Sequence, residues 1–108
     1  MVLETKQFKQ WLEHHQISKR TIEGWWHVLE NLKQDDPDSF LEHFGKGFNE
    51  QLMSITFEKV GLYLSDWLVE QNLYVACYAT IIYQEKDFGR YKMVFDIAGQ
   101  VIDDYWVE

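Results

Sequence analysis

The 108-residue chain has one cysteine, one proline and six glycines, and ten Lys or Arg stand against 18 Asp or Glu. Each scarcity excludes something. Cys77 alone closes no internal disulfide and brings no metal cluster by itself. A single thiol fits a reducing compartment. Pro and Gly are too few for a collagen-like or low-complexity chain. The longest stretch free of Asp, Glu, Lys and Arg covers residues 71–84, short of the ~18 apolar residues of a spanning helix. Met1-Val2-Leu3-Glu4 is followed by no apolar segment of the signal-peptide kind. A cytoplasmic protein with no membrane partner is therefore expected. No Gly-rich phosphate loop, HExxH, CxxC or GxSxG occurs. No catalytic residue, cofactor or metal site follows from motifs.

What the chain does have is aromatic side chains and acid. Five Trp, six Tyr and seven Phe make 17% of it, and hydrophobic residues make 46%. That composition suits one folded domain over residues 1–108 and excludes an acidic disordered tail. The formal charge of −8 is unevenly spread. Residues 1–34 hold five bases and four acids, a net of +1, whereas residues 35–108 hold five bases and fourteen acids, a net of −9. Such a field repels nucleic-acid phosphates and anionic lipid and attracts a basic partner protein. The plainer role of the same charge is solubility.

The pattern predicts helices first and strands after. Phe8, Trp11, Leu12 and His15 recur at helical spacing over residues 4–15. Ser18 is the expected N-cap of a second helix reaching Lys33, with Ile17 and Ile22 as a hydrophobic staple. Its stripe reads Ile22, Trp25, Trp26, Leu29 and Leu32. The adjacent Trp25 and Trp26 cannot both face one core. Residues 1–34 thus form a helical hairpin. Asp36 before Pro37 marks a third helix, with Phe40, Leu41 and Phe44 facing inward and Gly45-Lys46-Gly47 ending it. Residues 35–53 are that short helix and a loop.

From Ser54 the period falls to two. A first strand is expected with a bulge near Gly61, then a bend at Ser65-Asp66-Trp67 and a connection over residues 69–72. Residues 73–84 are apolar on both faces, which suits a central strand. Residues 85–89 read as a turn. A third strand over residues 90–96 puts Tyr91, Met93 and Phe95 on one face. Asp96-Ile97-Ala98-Gly99-Gln100 fits a type I turn closed by a left-handed Gly99, and the last strand covers residues 101–107. The fold class is α+β. Two or three N-terminal helices pack on one face of an antiparallel sheet of about four strands, residues 54–108, in meander order.

Three constellations invite chemistry. Glu23, His27 and Glu30 share a helix face at metal-ligand spacing, although Lys19 and Lys33 nearby also fit a solvated face. Cys77, in mid-strand, reads as a buried inert thiol. Asp103 and Asp104 are neighbours on a strand and point to opposite faces, so they form no paired-carboxylate site. Together with Asp96 across the hairpin they make the end of the sheet acidic. Aromatic residues meet that acid at Tyr105 and Trp106, and at Trp67. Aromatic anchors framed by carboxylates form a surface for a basic protein. Nucleic acid is not expected, because bases are scarce on the strands.

The leading expectation is a small acidic binding module. It would act as an inhibitor or immunity-type protein, using Asp96, Asp103, Asp104, Tyr105, Trp106 and Trp67. One alternative is a small-molecule binder or enzyme with an aromatic pocket and Asp96 or Asp104 as base. The other is a homodimer with no catalytic role, formed through an exposed sheet face.

Overall fold

The computed structural model describes residues 5–65 and 72–108. Three helices precede a four-stranded antiparallel sheet: α1 Thr5–His14, α2 Ile17–Asp35, α3 Pro37–Phe44, β1 Met53–Ser65, β2 Asn72–Tyr83, β3 Lys86–Asp96 and β4 Val101–Val107. The strand order is β1-β2-β3-β4, the expected meander, with β2 and β3 central. Of the bend and connection expected between β1 and β2, Ser65 instead ends β1 and Asn72 begins β2; the rest, Trp67 included, falls on residues 66–71, outside the described residues.

α2 starts two residues earlier than its capping pattern suggests. Gln16 adopts a left-handed conformation (φ 52°, ψ 46°) without a side-chain cap, and Ile17 already lies in the helix. Ser18 is therefore not the N-cap. The fully buried line of α2 is Ile17, Thr21, Trp25 and Leu29, four residues apart. The expected Ile22, Trp26 and Leu32 flank it, half-buried. Thr21 is tolerated in that line because its hydroxyl donates to the Ile17 carbonyl at 2.7 Å. α2 lies close to the sheet at Gly24, where a methyl group would overlap Met93 and the Tyr91 hydroxyl.

α3 begins as its sequence dictates. Pro37 sits at the first position, and Asp36 accepts from the Ser39 amide at 3.1 Å. Phe40 and Phe44 are buried, but Leu41 is exposed. Eight residues give α3 a single inward edge, and each residue turns ~100° from the last, so Leu41 points away from it. Phe44 and Phe48 then close around Tyr83, at centroid distances of 5.6 and 5.1 Å.

The helices cover one face of the sheet. On it lie Val75, Cys77, Ala79, Ile81 and Tyr83 of β2 and Tyr91, Met93 and Phe95 of β3, all buried. The small residues of β2 let α2 approach closely. The bulge of β1 lies at Glu58, where the register jumps between Phe57 and Lys59, and not at Gly61. Gly61 serves the open face: a methyl group there would overlap the Tyr63 ring. β3 starts at Lys86, because the β2–β3 turn is only Gln84 and Glu85, both at positive φ. That is the primed geometry matching strand twist, and it replaces the longer turn expected over residues 85–89.

Candidate functional site

The last hairpin is tied to the helices at both ends. At its turn Gly99 has φ 87° and its amide donates to Asp96 O at 3.0 Å, as the sequence predicts. Two side chains from the helical layer hold this turn. The Trp11 indole donates to the Ile97 carbonyl at 3.2 Å. Arg20 donates to the Gly99 carbonyl and lies over the Phe95 ring. At the other end Trp106 donates to the Phe88 carbonyl at 2.7 Å and sits 5.1 Å from the Trp25 ring.

His43 of α3 completes that second tie. Its Nε2 lies 2.6 Å from a Glu108 carboxylate oxygen, and its Nδ1 lies 2.8 Å from the Ser39 carbonyl. Both partners are acceptors, so the doubly protonated ring, with a hydrogen on each nitrogen, is the form that satisfies both contacts. The Ser39 carbonyl is the largest cause holding its pKa above the ordinary value; the Glu108 carboxylate adds to it, against partial burial.

Between the ties, Asp103 and Asp104 diverge as expected. Asp104 turns toward the helices and accepts from the Tyr91 hydroxyl at 2.7 Å. Tyr91 is fully buried, and burial, then the hydrogen bond to Asp104 and its charge, pushes its hydroxyl far above the ordinary range. Asp103 turns to the other face. It accepts from the Tyr105 hydroxyl and from the Asp104 amide, and these bonds hold its carboxyl below the usual range. Asp96 accepts from the Gln100 amide at 2.9 Å within the turn. The structure thus brings Asp96, Asp103 and Tyr105 to one face. Asp104 and Trp106 go to the other. Trp106 is half-buried against Trp25, where it anchors the strand.

The alternatives find less. A cleft of about 390 Å³ lies under α1, lined by Leu12, Ile17, Phe57, Val60 and Cys77 among others. Another of about 470 Å³ lies beside Phe40 and Phe48. Neither is lined by Asp96 or Asp104. Among the described residues no three His, Cys, Asp or Glu gather as a metal site; Glu23, His27 and Glu30 are all exposed. Cys77 is buried, and burial pushes its thiol up against a bond from Thr21. No described helix is long and apolar enough to cross a membrane.

The sequence offered an exposed sheet face as one alternative but not the residues on it; no described element packs on the face away from the helices. Four strands in register place Lys59, Tyr78, Lys92 and Tyr105 side by side in one row. Lys59 Nζ lies 4.9 Å from the Tyr78 ring centre, and Lys92 Nζ lies 5.7 Å from Tyr78 and 5.0 Å from Tyr105. Arg90 shares this face, paired with Glu58 at 3.2 Å. Tyr63 and Tyr74 stack two rows away at 5.2 Å. Bases are few on the strands, yet three of them converge here. Strand parity would have given each strand's share of the row; the row itself needs the register. No family model, curated protein or solved structure matches the chain.

Proposed function

We propose that this chain is a small acidic binding module of the cytosol, an inhibitor or immunity-type protein that covers a basic surface of a partner protein along β4. One observation carries the reading. Among the described residues, five of the ten exposed large hydrophobic side chains are Ile97, Val101, Ile102, Tyr105 and Val107, on the hairpin that also holds Asp96, Asp103 and Asp104. Exposed apolar side chains interleaved with carboxylates give a partner both contact area and a steering field. β4 is the last strand of the sheet order, so its outer edge has no ladder partner among the described residues. The Asp104 amide is met by the Asp103 side chain instead. The two ties to the helices keep this edge rigid, which lowers the ordering cost of association.

The test uses the tagged chain immobilised in an extract of its native host at low salt. A basic protein is expected on the support and should elute as salt rises, because contacts between exposed charges are screened. The variant Asp103→Asn with Asp104→Asn keeps hydrogen-bonding capacity and removes charge. It should weaken retention at least about tenfold, the effect of losing ~1.4 kcal/mol. Retention of acidic proteins only, of none, or of the same protein equally by the variant overturns the reading.

A further inference from the structure

We propose that the open face of the sheet is a docking surface for a second copy of this chain, the two sheets stacking face to face about a two-fold axis that runs along the strands. This surface shares Asp96, Asp103 and Tyr105 with the β4 surface proposed above, so the two occupants compete there, but it does not rest on that partner.

The order of the row is self-complementary. Across the sheet it reads Lys59, Tyr78, Lys92, Tyr105. A two-fold axis parallel to the strands, lying between two stacked sheets, reverses strand order and keeps height along the strand. The second copy then presents Tyr105, Lys92, Tyr78 and Lys59 above the first. Every lysine meets a tyrosine. An isologous contact demands this self-complementarity, and an alternating row of four provides it where a row of one sign could not. Neither Lys59 nor Lys92 forms an ion pair among the described residues. Their ammonium groups already lie over rings of their own chain, and a second ring on the far side adds a further cation–π contact to each.

Gly61, Ala76 and Val94, with Asp103 at the β4 end, form the next row, where the chain's own Tyr63 ring lies over Gly61, so the contact rests on the row from Lys59 to Tyr105 and on the row beyond it. On the other side Thr80 and Arg90 stand opposite each other on β2 and β3, so the axis sets Thr80 over Arg90 of the second copy. Aligned sheets pack with a twist of ~30°, which splays the outer strands and leaves the β2 and β3 contacts nearest the axis. Tyr78 against Lys92 of the second copy, made twice, is therefore the central contact.

Charge and area fit as well. The face carries Lys59, Arg90 and Lys92 against Glu58, Asp96 and Asp103, and so is balanced although the chain is at −8. Four strands at ~4.8 Å spacing and a twelve-residue β2 give a footprint of roughly 19 Å by 40 Å. That is close to the ~800 Å² per partner of a standard interface.

The experiment is sedimentation velocity of the full chain across a concentration series, with circular dichroism as the control for folding. A species of twice 13.0 kDa is expected, and its dissociation constant should fall as salt rises, because the two acidic copies repel each other outside the interface. Tyr78→Lys sets lysine against Lys92 of the second copy and should weaken the dimer at least about tenfold. Adding Lys92→Tyr to it gives the row Lys, Lys, Tyr, Tyr. Reversed, that row again sets every lysine on a tyrosine, so the double variant should regain the dimer. Lys92→Ala, milder for folding, should weaken it several-fold. A monomer at every concentration overturns the proposal, as does a dimer indifferent to Tyr78→Lys or a folded double variant that stays monomeric. A monomer that binds a labelled single-stranded oligonucleotide would give the face to nucleic acid instead. A monomer that still retains a basic protein through β4 removes this proposal and leaves the module standing.

Discussion

The two faces of the sheet use the same residue type in opposite ways. Tyr91 and Tyr105 both donate their hydroxyl to an aspartate of β4, Tyr91 to Asp104 and Tyr105 to Asp103. Tyr91 does so from under α2, fully buried, beside Trp25 and Met93. Tyr105 does so in solvent, with Lys92 over its ring. The covered face gains its stability from apolar area removed from water, and its few polar atoms are each paired. On the open face the tyrosines are neighbours of cations and stay half-exposed. One face is a core and the other is a surface built from aromatic residues, so aromatic content by itself says little about where a protein binds.

Truncation should separate the faces most sharply. Trp25 has no exposed surface and touches the rings of Tyr91 and Trp106. Trp25→Ala should cost about 3–5 kcal/mol, the range for a large aromatic side chain removed from a core. Tyr74→Ala, which removes the stack on Tyr63 across the open face, should cost about 1 kcal/mol or less, the scale of a cross-strand pair. Urea unfolding measures both. Equal losses would mean that the open face is a second core.

The two aspartates give a finer contrast. Asp104→Ala leaves the buried Tyr91 hydroxyl without its acceptor, which should cost about 1–3 kcal/mol. Asp103→Ala releases only an exposed hydroxyl and an exposed amide to water, and the unfolding midpoint should not move. Tyr91→Phe added to Asp104→Ala removes both partners and should recover much of the loss. If it recovers none, Asp104 stabilises the fold through something other than that hydroxyl.

How much of this was legible depends on the range of the interaction. Asp36-Pro37, the turn closed by Gly99, and the alternation of Tyr91, Met93 and Phe95 are local patterns, and each sits where the sequence places it. The Glu58 bulge is half-local. Ile55 and Phe57 face the helices at odd positions, and Val60 and Leu62 do so at even ones, so the sequence records a change of parity without naming the extra residue. Gly61 drew the expectation because glycine often marks bulges, yet here it makes room for a ring. That change of parity turns Lys59 toward the open face; without it the lysine would point into the core. The row of Lys59, Tyr78, Lys92 and Tyr105 was illegible, since it needs three strand registers at once. The ties of the last hairpin were hidden for the same reason: Trp11 and Arg20 meet Ile97 and Gly99 from about eighty residues away.

The smallest effect concerns how the covered face is closed at its edge. His43 couples α3 to Glu108, and its pKa is raised chiefly by the Ser39 carbonyl and then by the Glu108 carboxylate. The unfolded chain has His at ~6.5. A folded value above that means the folded state holds the proton more tightly. The stabilisation is full below the unfolded pKa and disappears as pH rises through the folded one. Stability should therefore decline as pH rises above about 6.5 and through the folded value, by no more than the ~1 kcal/mol of a solvent-screened pair. His43→Phe keeps a ring against Trp106, which lies 5.3 Å from the imidazole, and removes the proton. Its thermal midpoint should stay level over that interval, whereas the parent's falls. A variant that kept the parent's slope would place the titrating group elsewhere and leave α3 held to β4 by Phe44 and Trp106 packing alone.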